Sequence, residues 1–166
     1  MLEERGEFMK KMMWVVFFAA LLVGCSEEPS MMALSDPSPD QELASSKGGL
    51  SLLLEECSYT ESPSVIRTTI KNDSMQDFGF GEYFYIELKR KSGWHILTHS
   101  DAVFINNPHL NDFGRVLPAG TETNMGFSIE ELGIELAPGE YRIVKTFLSQ
   151  EEPFFEISIA SPFRVE

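Results

Sequence analysis

Short runs of alternating apolar and polar residues, broken by turn formers, fill the chain from residue 50 onward and leave little room for any architecture but stacked sheets. In 64–72, Ile66, Thr68 and Ile70 alternate with Arg67, Thr69 and Lys71. In 82–91, Phe84, Ile86 and Leu88 face one way and Tyr83, Tyr85, Glu87 and Lys89 the other. Successive side chains of a strand point to opposite faces, so each run predicts a strand with one face in a core and one in water. Residues 50–60 read as a first strand, and Ser92-Gly93 turns 82–91 into Trp94–Thr98 as a hairpin. Ser100–Ala119 is expected to hold a short strand near Val103–Ile105 and a long loop. Thr121–Ile129 reads as a strand, Glu130–Leu136 as a helical turn, and Pro138-Gly139 as a turn into the strand Tyr141–Ser149. Phe154–Val165 closes the chain, with Phe155, Ile157 and Ile159 on one face. About seven strands in residues 50–166 predict an all-β fold, an antiparallel β-sandwich.

The beginning of the chain has a different character. Lys10-Lys11 precedes the apolar run Met12–Val23, whose twelve residues fall short of the roughly twenty that a spanning helix needs. The run ends in Leu22-Val23-Gly24-Cys25. This resembles the lipobox of bacterial lipoproteins, and it predicts a signal peptide over 1–24, cleavage before Cys25 and a diacylglyceryl group on the Cys25 thiol. More than one acyl chain, palmitate among them, would then hold the protein at a membrane. The acidic stretch ahead of the run suggests translation from Met9, with Glu4-Arg5-Gly6-Glu7 a purine-rich ribosome-binding site read as protein. Residues 25–49 carry Pro29, Pro37 and Pro39 among Ser, Glu and Asp, a composition expected to form a flexible, disordered tether.

Residues 1–24 hold three acids and three bases, so the whole net charge of −13 falls on the remainder. Such a surface repels phosphate backbones, and no nucleic-acid partner is expected. Of the two cysteines, Cys25 belongs to the targeting signal, which leaves Cys57 without a partner for an internal bridge. Cys57 is expected either as a small buried side chain or as a reactive thiol.

Three stretches resemble the immunoglobulin-like domains of small bacterial lipoproteins: Gly49-Leu50-Ser51-Leu52, then Phe80-Gly81-Glu82-Tyr83-Phe84 leading into Lys89-Arg90-Lys91-Ser92-Gly93-Trp94, and Leu136-Ala137-Pro138-Gly139-Glu140-Tyr141-Arg142. The resemblance covers nearly all of 49–166. It implies an immunoglobulin-like sandwich, with Tyr141 after Pro138-Gly139 as a tyrosine corner whose hydroxyl bonds back to the turn. It brings no catalytic residues and implies a binding or structural module.

Catalytic and metal chemistry find no foothold. His95 and His99 on one strand would lie about 13 Å apart, too far for one ion, and with His109 they read as surface histidines. Asn72, Asp73, Asp77, Asn106, Asn107, Asn111 and Asp112 lack the spacing of a calcium loop and read as turn residues. No Gly-x-Ser-x-Gly elbow is present. The chain is read as a non-enzyme with no cofactor. Recognition has a candidate in large apolar residues within loop-like sequence: Phe78 and Phe80, then Phe104, Ile105, Leu110 and Phe113, with Tyr83 and Tyr85 as a second patch. The same side chains could instead plug the ends of the sandwich. Three roles stand: a lipid-anchored extracytoplasmic module that binds another cell-envelope component, a peptidase inhibitor presenting Asn106–Arg115, or a structural spacer.

Overall fold

The computed structural model describes residues 32–166, and the expected signal peptide and Cys25 lie outside the described residues. Its strands are β1 (Ser46–Lys47), β2 (Leu50–Leu54), β3 (Ser58–Tyr59), β4 (Val65–Asn72), β5 (Phe78–Gly81), β6 (Tyr85–Arg90) and β7 (Gly93–Ile96). A short helix α1 (Ala102–Asn106) and a 3-10 turn (Pro108–Asn111) follow, then β8 (Phe113–Leu117), β9 (Thr121–Ser128), β10 (Gly139–Ser149) and β11 (Glu156–Val165). One sheet has the order β1-β2-β4-β9. The other runs β3-β11-β10, after which β10 is bordered by two strands in succession, β6 and then β5. β7 lies outside β6, and β8 outside β5. The two sheets face each other across a core that includes Leu52, Ile66, Ile70, Phe80, Phe127, Ile143, Phe147 and Ile159. An immunoglobulin-like sandwich is therefore the fold.

Eleven strands occur among the described residues where about seven were expected. β5 and β8 account for the main difference. Phe78-Gly79-Phe80-Gly81 reads as loop because glycine weakens a strand; here the Gln150 amide lies over Gly79, 2.4 Å from where a side chain would begin, so a larger residue would displace it. Phe78 and Phe80 are thus core residues, not loop plugs. The expected strand over Val103–Ile105 is α1, and the actual strand of that region, β8, begins eight residues later than Ile105.

Tyr141 is fully buried, stacks on Phe163 with ring centroids 5.5 Å apart, and donates its hydroxyl to the Ala137 carbonyl at 2.6 Å. Pro138 and Gly139 make the bend between the two, as a tyrosine corner requires.

From Met32 onward the expected tether is part of the fold. Leu34 and Ser38 donate backbone N–H groups to Ile96 and Trp94 along the outer edge of β7, and Ala33 bridges to Leu97. The chain then crosses the second sheet and accepts a bond from Ala160 of β11 at Ala44. Gln41 uses its side-chain amide as a substitute strand partner: Oε1 accepts from Trp94 N at 2.7 Å and Nε2 donates to Trp94 O at 3.1 Å. A side chain at Gly93, where φ is +127°, would stand 2.2 Å from that Oε1. Residues 32–45 therefore form a strap. Composition misled because the strap is held through backbone groups, to which polar residues are no obstacle.

Beneath it lies an ion pair, of which alternation placed Glu87 on the solvent face. Glu87 and Arg142 stand opposite each other on β6 and β10, bonded through Arg142 Nε and Glu87 Oε2, and both are almost fully buried. The other guanidinium nitrogens donate to the Gln41 and Asp40 carbonyls at 3.1 and 2.6 Å, and the Trp94 ring lies 4.6 Å from its carbon. Removing one member of a buried pair strands the other, so Arg142→Met is expected to cost about 3–5 kcal/mol. Arg142→Met with Glu87→Met should recover most of that loss, as read by urea unfolding.

Candidate functional site

The residues singled out for recognition divide into three groups. Tyr83, between β5 and β6, and Phe104, on α1, come together with His99 at one edge of the second sheet. Ring centroids are 5.5 Å apart for Tyr83 and Phe104, 5.3 Å for His99 and Phe104, and 6.2 Å for Tyr83 and His99. All three are half-buried, and burial pushes the Tyr83 hydroxyl above its ordinary range. Ile105 projects beside them, 80% exposed. The group forms an aromatic ledge with one aliphatic tip.

Leu110 belongs elsewhere: it is buried and, with Val103, belongs to the core. Phe113 opens β8, paired with Gly81 of β5. Tyr85 is half-buried on the outer face near Glu87 and Arg142, where burial first and the Glu87 charge second push its hydroxyl up to about 12. It is a neighbour of the ion pair, and Tyr83 lies near enough to add to the shift.

α1 is positioned by short-range bonds that sequence reasoning assigned only to turns. Asn107 Nδ2 donates to Val103 O at 3.2 Å and to Glu131 O at 3.1 Å, tying the helix to the loop after β9. His109 Nε2 lies 3.2 Å from Glu131 Oε2. The stretch Asn106–Arg115, considered as an inhibitory loop, is instead the helix end, a 3-10 turn and the start of β8. An open, polar cleft of about 580 Å³ lies between α1 and that loop, lined by Ser100, Val103, Asn106, Glu130, Glu131 and Leu132.

Other expectations are corrected. His95 is buried, with Nδ1 2.8 Å from Leu34 O and Nε2 2.7 Å from Ser92 Oγ, so it is a strap contact and not a surface residue. Cys57 is exposed, in a shallow groove with Trp94, Pro162, Phe163 and Arg164, because β3 lies at the edge of its sheet. Asn72 is buried and spends its amide on the Gln76 and Leu117 carbonyls at 2.8 and 3.0 Å, while Asp77 accepts from Ala119 N at 2.9 Å. Both serve turns. Among the described residues no group of three or more His, Cys, Asp or Glu side chains could hold a metal.

Sequence reasoning missed Lys145. It occupies the inward face of β10, opposite Ile159, and is 1% exposed. Its ammonium fills the break between β5 and β6, donating to the Gly81 carbonyl and to the Tyr83 carbonyl at 2.6 Å. The rings of Phe80 and Phe127 lie within 6 Å. Tyr141, Ile143, Lys145 and Phe147 fall at period two, so a lysine on an apolar face was the available signal. Through Tyr83, Lys145 also fixes one wall of the ledge.

A family model described as a bacterial Ig-like domain matches residues 46–163. No curated protein and no solved structure matches the chain. The matched segment begins with β1, so the strap of residues 32–45 precedes it.

Burial lowers the Lys145 amine from its usual 10.5 to about 8, with Glu82 opposing and Arg115 adding to the shift. Below pH 8 both folded and unfolded chains carry the proton; between 8 and 10.5 the unfolded chain carries more of it, so this group makes stability rise with pH. Relative to Lys145→Met, the native protein should gain about 1.4 kcal/mol per pH unit inside that window. Urea unfolding at pH 7, 8, 9 and 10 measures the difference, and a flat difference would refute it.

Proposed function

Because the chain belongs to the bacterial Ig-like domain family, we propose that it is a lipid-anchored extracytoplasmic interaction module that meets another component of the cell envelope through the ledge of Tyr83, His99, Phe104 and Ile105. Membership supports an extracytoplasmic structural or binding role in general. The anchor is supported by Lys10-Lys11, the apolar run and Leu22-Val23-Gly24-Cys25. The ledge carries the rest of the reading. On a chain of net charge −13, a cluster of three rings capped by an 80% exposed isoleucine is a costly surface to leave in water, and such patches mark contact sites. Tyrosine and histidine add polar tips to an apolar body, which suits a contact that forms and dissolves in water.

Two measurements test this. Cys25→Ser should abolish incorporation of labelled palmitate and shift the protein from the membrane fraction to the medium; unchanged membrane association and labelling would refute the anchor. A photo-crosslinker at Ile105 in intact cells should yield reproducible adducts absent from the same probe at Lys47, which is exposed on β1 of the other sheet. Equal or absent capture at the two positions would refute the ledge.

A further inference from the structure

Where the chain leaves the fold limits what the ledge can reach. Thr98 N and Oγ1 both donate to the Met32 carbonyl at 2.7 Å, so the first described residue is fastened immediately before His99. Residues 26–31 are all that separate it from Cys25. At no more than about 3.5 Å per residue, that link spans at most about 25 Å. An acylated Cys25 therefore keeps the chain's exit point, beside His99 and the ledge, within about 25 Å of its own bilayer, and the chemistry of the edges decides which of them meets it. The far edge of the same sheet, β3 with Cys57, lies four strand spacings away, about 19 Å.

The chemistry of that edge suits a lipid surface. Met32 is 63% exposed and Ile105 80%, with Tyr83, His99 and Phe104 between them half-buried. Aromatic rings with polar tips partition to the headgroup level, and aliphatic tips to the acyl boundary just beneath. Residues 92–114 contain no Lys or Arg, Arg115 is paired with Glu82 next to Tyr83, and Asp101, Glu130 and Glu131 stand near the ledge, so attraction to anionic groups contributes little. Contact must come from apolar burial made effective by the anchor, which replaces free encounter with a high local concentration.

We infer that the occupant of the ledge is the lipid surface in which Cys25 is anchored, with Ile105 and Met32 at the acyl boundary and Tyr83 and His99 among the headgroups. This deepens the proposed function and rests on acylation of Cys25. The domain then stands with its β7 edge down and its β3 edge outward.

Cys57 supplies a native reference on the outward edge. Full-length protein extracted from membranes is labelled with an environment-insensitive fluorophore either at Cys57 or, in Cys57→Ser/Ile105→Cys, at position 105, and reconstituted into phosphatidylcholine vesicles with and without nitroxide-labelled phosphatidylcholine. Intact mass establishes the acyl chains in the same samples. Quenching several-fold stronger at 105 than at 57 is expected. Acylated protein with equal or weaker quenching at 105 overturns this inference and leaves the anchor standing. Protein without acyl chains overturns the anchor and the inference together.

Discussion

A guanidinium taken out of water must have its charge and its donors answered, and Arg142 organises the outer half of the structure around that demand. Glu87 supplies the charge from the neighbouring strand, yet one carboxylate leaves donors unmet. The carbonyls of Asp40 and Gln41 meet them, which explains why a polar, proline-containing stretch lies flat on the sheet. Once there, the stretch hides Val144 and Ala160, which face away from the core and are nonetheless buried. The strap also completes the open edge of β7, the place where an unpaired strand would invite another chain. One buried charge thus determines the outer covering, the edge protection and the exit of the N-terminal chain.

Lys145 performs a parallel task inside. β10 is long enough to be bordered by β5 and β6 end to end, and at their junction the backbone turns away and leaves carbonyls facing the core. An apolar side chain at that position would leave them unsatisfied, a cost of the order of 1–3 kcal/mol each. A lysine reaches both, and its stem and ammonium are accommodated by aromatic rings. The price is a depressed amine pKa. With Cys57 unpaired, these two satisfied cations and the tyrosine corner tie the second sheet's irregular parts and the strap to an otherwise apolar core.

Alternation carries the parts of the fold that alternate. β4 and β9 are regular, half-buried strands, β10 and β11 are regular strands covered on both faces at their middles, and the inward residues Ile66, Ile70, Phe127, Ile143 and Ile159 are legible from period two alone. The tyrosine corner is legible too, because Pro138-Gly139 sets the bend that Tyr141 closes. β5 is hidden by its glycines, and α1 by being a single short turn set by Asn107 and its partners rather than by propensity. Of the ledge, Tyr83, Phe104 and Ile105 can be picked out as large apolar residues in irregular sequence. Their companionship with His99 cannot, since it depends on how the chain returns after β7. Glu87 reads as solvated because the strap that dries it and Arg142 lies over a hundred residues from Arg142.

That separation bears on the order of events during synthesis. A chain made amino terminus first presents residues 32–45 long before Arg142 and Ala160 exist to receive them. Contacts between the two ends of a sequence are the slowest to form, because the intervening loop must be closed before they return anything. The strap is therefore made early and completed late, because Arg142 and Ala160 hold its second half in place. Completion of the fold thus waits on its last hairpin, because the amino-terminal strap docks onto β10 and β11.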